Sequence, residues 1–182
     1  MNLIFRLVFH FIASLWRPTV PKNGIAITPM RVQLTDLDLL GHMNNGVYFS
    51  IMDIGRLDFM LRAKGLFPVL RRGMFPVMAA QTIRFYRSLN PFQKFSVHTE
   101  LVAIDERHYY MKQSFYRKRN LHAVGYVQGV FLQRGRKGVV PPMEVMQVGK
   151  MNEWTLKDEP FVHEWKKQLA LLKPRGSDRP LA

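Results

Sequence analysis

The sequence contains no cysteine. A disulfide framework, a thiol nucleophile and a cysteine-ligated metal are therefore excluded. A reducing cytosol suits such a chain, and a cytoplasmic location is the expectation. Acidic residues are scarce: 13 Asp and Glu stand against 27 Lys and Arg, a formal net charge of +14. A surplus of this kind favours anionic partners, whether nucleic acid, anionic lipid or a phosphorylated small molecule, without choosing among them. Its densest groups, Arg71-Arg72, Arg117-Lys118-Arg119 and Arg134-Gly135-Arg136-Lys137, also read as ordinary solvated basic surface. There is no internal repeat. What is present is 182 residues, 47% of them hydrophobic, enough for one domain with terminal extensions and a real core.

The chain opens on an apolar stretch, Leu3 to Trp16, interrupted by Arg6 and His10 and ended by Arg17-Pro18. Its 14 residues fall short of the roughly 20 that span a bilayer. Ala13-Ser14-Leu15 makes a poor signal-peptide cleavage site. On a helix, Arg6, His10 and Arg17 fall within about 60° of one another. An apolar helix with one polar stripe suits either a membrane interface or packing on the protein's own surface, so peripheral membrane contact through residues 3–17 is one expectation.

Three segments follow from pattern: an N-terminal helix in 1–20, a central domain in 21–140, and a helical extension with a tail in 141–182. Pro18 to Asn23 is a linker. Ile25 to Thr35 reads as a strand that Pro29 confines to an edge or bulge. Val47 to Lys64 predicts a helix with apolar residues nearly all round, as expected of a buried helix. Asp58 and Arg62 stand at ion-pair spacing on it. A loop or short helical turn around Phe67 to Phe75 comes next. Four period-two runs predict strands: Val77–Leu89, Phe95–Ile104, His108–Arg117 and His122–Gln133. Short connections make at least the last three antiparallel. Met143–Met146 and Phe161–Leu172 predict helices, and the tail from Lys173 predicts disorder. One sheet curled round one helix accounts for this order. Its outer face and edge then need cover, so a homodimer or dimer of dimers is expected.

The loop between the first strand and the long helix reads Asp36-x-Asp38-x-x-Gly41-His42-x-Asn44-Asn45-x-x-Tyr48. It places two carboxylates, an imidazole and two amides at a helix N-terminus. Unpaired N–H groups there suit the oxyanion that develops when a carbonyl is attacked. A nearby carboxylate suits a general base or a nucleophile. The same residue types also make a well-bonded helix cap, and residue types alone leave both readings open. The spacing of Asp36, Asp38 and His42 matches no established metal pattern, so no metal or cofactor is expected.

This run resembles the active-site signature of the 4-hydroxybenzoyl-CoA thioesterase family, in its acyl-CoA thioesterase branch. Asp53 and Arg56 match the acidic residue and the Arg that follow on the family's helix. The likeness covers about Met30 to Gln133. It is strongest to a bacterial subgroup with a His-Met-Asn-Asn-Gly loop behind an apolar N-terminal helix. It implies an α+β hotdog fold, an antiparallel sheet wrapped round one long helix, and hydrolysis of an acyl-CoA or acyl-carrier-protein thioester. By position, it implies Asp38 as the catalytic carboxylate and the Asn45 backbone N–H, with Gly46 adjacent, as the group that polarises the carbonyl. His42 and Asn44 would position water or Asp38, Tyr48 would face the acyl pocket or lock the loop, and Asp36 and Gly41 would complete its substrate-facing part. The turn Asn90-Pro91-Phe92-Gln93-Lys94 lacks the acidic residue common in members of known substrate, so no acyl group is carried over.

Arg84, Arg87, Arg134 and Arg136 are candidate anchors for the phosphates of coenzyme A, against the alternative of solvated strand-end charge. His98, His108, His122 and His163 have no clustered partners and read as structural. The aromatics of the strands come with no RNA-binding signature, so nucleic acid is not an expected partner. Two further readings keep the fold: an enoyl-CoA hydratase using His42, and a non-catalytic module that binds acyl chains or lipid surfaces.

Overall fold

The computed structural model describes residues 2–20, 24–151, 154, 156 and 159–172. The expected tail from Lys173, and part of the Pro18–Asn23 linker, lie outside the described residues. Helix α1 is Asn2–Ser14, and strand β1 is Ala26–Arg31. A 3₁₀ turn at Leu34–Asp36 leads into the loop before helix α2, Asn45–Arg62. Helix α3, Leu66–Arg71, and strands β2 (Met74–Phe85), β3 (Lys94–Ile104), β4 (Tyr109–Arg117) and β5 (Asn120–Gln133) follow, then helices α4 (Pro142–Val148) and α5 (Pro160–Leu171).

The five strands form one antiparallel sheet in the order β1-β3-β4-β5-β2. Both prolines fit that order. Pro29 lies in β1 and Pro76 in β2, the two edge strands, where a missing N–H need not break a ladder. Edge placement lets β2 begin at Met74, before the Val77 that its pattern suggests. Strand β1 stops at Arg31, short of the expected Thr35. There the backbone turns: Gln33 N–H donates to Asp36 Oδ2 at 2.8 Å and opens the 3₁₀ turn.

Helix α2 packs on one face of the sheet. Tyr48, Ile51, Met52 and Ile54 pack with Val97, Phe95, Phe115 and Val127 in the main core. Gly55 lets the helix approach closely, since a Cβ there would sit 2.9 Å from the Gln113 amide nitrogen and 3.0 Å from Thr99 Oγ1. Gln113, fully buried on β4, fastens the crossing. Its amide nitrogen donates to the Met52 carbonyl (2.9 Å) and Thr99 Oγ1 (3.0 Å), and its oxygen accepts from Arg56 Nη1 (3.0 Å). The fully satisfied set ties three elements together at a depth where an unpaired polar group would cost about 1–3 kcal/mol.

Asp58 is buried on α2 and gathers three partners. Arg17 Nη1 (2.9 Å), Arg62 Nη1 (2.9 Å) and Thr28 Oγ1 (2.8 Å) all donate to its carboxylate. The ion pair expected from the spacing of Asp58 and Arg62 is present, within a wider knot that joins α2 to β1 and to the segment after α1.

On part of the sheet's outer face lies α5 of the same chain: Val162 and Trp165 pack with Val102, Tyr110 and Tyr126. Glu159, ahead of α5, accepts from Lys112 Nζ (3.1 Å) and the Tyr126 hydroxyl (2.8 Å). Lys166 pairs with Asp105 at 2.8 Å.

Candidate active site

The loop before α2 is held by its own backbone. Asp38 N–H donates to the His42 carbonyl (2.9 Å), and Gly41 N–H returns to the Asp38 carbonyl (3.1 Å). Gly41 sits at φ +76° with open space around it, a left-handed turn that a side chain would strain. Met43 N–H donates to the Leu89 carbonyl at 2.9 Å, and Asn44 N–H to the Asp36 carbonyl at 2.8 Å. These bonds pin both ends of the loop and leave Leu39 and Leu40 exposed at its tip.

Within this frame Asp38 is half-buried. Its Oδ1 accepts from Leu40 N–H (2.9 Å) and His42 N–H (3.3 Å), which fixes the carboxylate's orientation. Among the described residues Oδ2 accepts no hydrogen bond. The helix start is also divided. Asn44 is the N-cap of α2, and its Oδ1 takes the Gly46 N–H at 2.8 Å. The Asn45 N–H donates to no described residue. Asn45, rather than Gly46, therefore holds the open amide at the positive end of the helix.

Asp38, His42, Asn45 and Tyr48 line one cleft with Leu40, Met43, Phe85, Tyr86, Arg87 and Ser88, a volume of about 340 Å³. Tyr48 forms its floor. Its ring meets Phe85 edge-on at 4.9 Å and Phe115 at 5.1 Å. Burial pushes its hydroxyl up to about 12, opposed by its hydrogen bond with the Leu89 backbone, so it stays protonated and locks the loop's base.

The sequence profile of the thioesterase-like superfamily matches residues 32–155. The chain belongs to that superfamily. A relative in Danio rerio, protein THEM6, is 36% identical over 136 residues, 70% of this chain and 65% of the relative. A probable thioesterase of Saccharomyces cerevisiae is 27% identical over 125 residues, covering 65% of this chain and 52% of the relative. The match thus spans less than two thirds of the length of these curated relatives. The structure resembles that of a 1,4-dihydroxy-2-naphthoyl-CoA thioesterase from Synechocystis with a TM-score of 0.61 at 12% identity, over 71% of this chain and 97% of that one. The expected hotdog fold is thereby shown.

Not every expected site residue of this thioesterase-like chain lies in the cleft. Asp36 is buried outside it, its two carboxylate oxygens each 2.8 Å from Arg6 Nη1. Its role is structural: it ties the loop to α1. Of the four arginines, Arg87 lines the cleft. Arg84 lies over the Tyr86 ring at 5.2 Å. Arg134 and Arg136 follow β5, whose last residue Gln133 pairs with Met74 at the opposite end of β2 from Phe85. Arg136 there pairs with Glu144 at 3.0 Å. Neither lines the cleft of this chain.

Arg6 and Leu89 hold the loop from outside its motif. Arg6 was visible as part of a polar stripe, but its partner lies 30 positions away. Nothing local in the sequence announces that contact. The wall from Phe85 to Ser88 comes from the end of β2, brought beside the loop by the strand order.

On α2 further along, Arg56 contacts Asp53 in an ion pair and reaches Gln113. Burial lowers the Arg56 pKa, while Asp53 supports its charge. This matching helix pair therefore serves the helix-to-sheet crossing. It lies with Leu57, Met60 and Tyr109 in a second depression, separate from the Asp38 cleft.

Proposed function

We propose that the chain hydrolyses an acyl-CoA or acyl-carrier-protein thioester in the Asp38 cleft, within the acyl-CoA branch of the 4-hydroxybenzoyl-CoA thioesterase family. One observation carries the reading: a carboxylate oxygen and a helix-terminal N–H, both without partners among the described residues, border the same cleft. The thioester carbonyl oxygen accepts from Asn45 N–H, which strengthens as negative charge develops. In the water route, Asp38 takes a proton from water and the oxygen attacks the carbonyl carbon. The tetrahedral intermediate collapses with loss of the thiolate, which recovers the proton from Asp38. In the covalent route, Asp38 itself attacks, a mixed anhydride forms as the thiolate leaves, and water then cleaves the anhydride. His42 borders the same cleft and orients water. Arg87 supplies a cation for the phosphates of the carrier.

The assembly we propose is a homodimer. Strand β2 is an edge 12 residues long, and an unpaired edge of that length is a template for pairing. Two β2 edges paired antiparallel would carry Arg134 and Arg136 of each protomer toward the Phe85 end of the other. They would there join Arg87 as candidate phosphate anchors.

The deciding experiment is a hydrolysis screen over acyl-CoA chain lengths, with Asp38→Asn as comparator. Turnover should fall by orders of magnitude in the variant while binding persists. Near wild-type turnover in Asp38→Asn across the panel would remove Asp38 from the mechanism.

A further inference from the structure

Helix α1 is built inside out. Its polar residues Arg6, His10 and Ser14 recur every four positions and are buried against the protein. Arg6 holds Asp36, His10 Nδ1 lies 3.4 Å from Arg17, and Ser14 Oγ donates to the Phe11 carbonyl at 2.6 Å. At 100° per residue, Ile4, Phe5, Val8, Phe9 and Ile12 occupy the opposite arc, and all five are exposed. Leu15 and Trp16 extend the face beyond the helix end. Phe5 is 69%, Phe9 64% and Trp16 78% exposed. A contiguous apolar surface of this kind marks an interaction site.

Two observations say what covers it. The first is charge. A groove of about 570 Å³ runs between α1 and β1, with Phe5 and Phe9 on one side and Arg31 and Lys94 on the other. None of the residues lining it is acidic. A symmetric contact with a second copy through this face would bring those cations close to their counterparts in a chain of net charge +14. Aromatic rings beside cations match an anionic bilayer interface instead. The second observation is length. The 13 residues of α1 reach about 20 Å, against a hydrocarbon core of about 30 Å. No described helix is long and apolar enough to cross a membrane. As described, the helix is shorter than a span, and its one-sided apolar face suits the interface.

We propose that α1 docks the protein on an anionic lipid bilayer, with Phe5, Phe9 and Trp16 among the acyl chains and Arg31 and Lys94 on headgroup phosphates. The inference is independent of the hydrolytic reading. It gives the buried polar stripe a purpose: Arg6, seated on Asp36, joins the docked helix to the loop that carries Asp38.

The test is flotation of the full chain with vesicles of phosphatidylcholine alone and with phosphatidylglycerol added, at low and high salt. Wild type should float with the anionic vesicles and be weakened by salt. Phe5→Ser/Phe9→Ser and, separately, Arg31→Glu/Lys94→Glu should each bind at least about ten-fold less. These side chains face solvent, and unchanged thermal melts would confirm that both variants fold. The proposal is overturned if wild type floats with neither vesicle, or if both variants float as wild type does. It is equally overturned if Phe5→Ser/Phe9→Ser only converts an oligomer to a monomer in sedimentation, with vesicle binding unchanged.

Discussion

Arg6 Nη1 lies 2.8 Å from each carboxylate oxygen of Asp36, and its Nη2 donates to the Arg31 carbonyl at 2.7 Å. Both side chains are nearly excluded from solvent. One guanidinium thus joins α1, the end of β1 and the first carboxylate of the loop before α2. The arrangement explains why the loop carries two Asp residues that do different things. Asp36 is consumed by structure, which leaves Asp38 for the cleft.

Removing one partner strands the other as a buried charge. Arg6→Ala should therefore lower stability by about 3–5 kcal/mol, read as a shift in the urea midpoint at unchanged slope. Arg6→Lys should recover little, because an ammonium cannot serve two carboxylate oxygens and a carbonyl in one plane. Full recovery by lysine would mean that charge alone matters here.

Asn44 offers a finer probe of the helix start. Its side chain holds the Gly46 N–H, and its carbonyl accepts from Val47 N–H at 3.0 Å. Asn44→Ala should cost about 1 kcal/mol of stability. It should cost more in turnover, because the first turn that presents the Asn45 N–H loosens. Asn44→Asp retains an acceptor and should keep stability within a few tenths of a kcal/mol. Parallel denaturation and thioester-hydrolysis measurements on both variants check this. Equal loss of turnover in both would show that the cap is not what matters.

The Asp58 knot predicts a larger structural effect with no direct part in chemistry. Asp58→Ala leaves Arg17 and Arg62 facing each other without their shared anion. A loss of about 3–5 kcal/mol is expected. The surviving folded fraction should hydrolyse thioester with unchanged KM, since no atom of the knot lines the cleft. A raised KM in folded protein would contradict that separation.

Much of this was legible in the sequence because the signals are local. The apolar spread from Val47 to Lys64 disclosed a buried helix, and it starts two residues early only because the Asn44 cap draws Asn45 and Gly46 into the first turn. Pro29 confined β1 to an edge or a bulge, and the strand order makes it an edge. Pro68, in the first turn of α3, is tolerated where the N–H has no partner within the helix. What was not legible depends on distant residues. The seating of α1 and of the segment after it, with Arg6 and Arg17 turned inward, follows from Asp36 and Asp58, 30 and 41 positions away. The covering of the sheet by α5 likewise rests on Trp165 meeting Val102 and Tyr110, which no pattern within α5 reveals.

The buried stripe of α1 also predicts how stability responds to acid. Burial, with help from the Arg17 and Arg6 cations and against the pull of Asp58, lowers the His10 imidazole from 6.5 to about 4. The unfolded chain takes up a proton near pH 6.5, and the folded chain resists until about pH 4. The folded protein therefore binds fewer protons in that window, and its stability falls as pH drops from about 6.5 toward 4. Burial lowers the His98 pKa as well, adding to the slope in the same direction. His10→Gln removes one of the two contributions while keeping a polar group beside Arg17. Urea unfolding at pH 7.5, 6 and 5 (values spanning the window) should show a smaller acid-side decline in His10→Gln than in wild type. Parallel declines in the two proteins would mean that His10 takes up its proton as readily folded as unfolded, and that α1 leaves its seat as the solution is acidified.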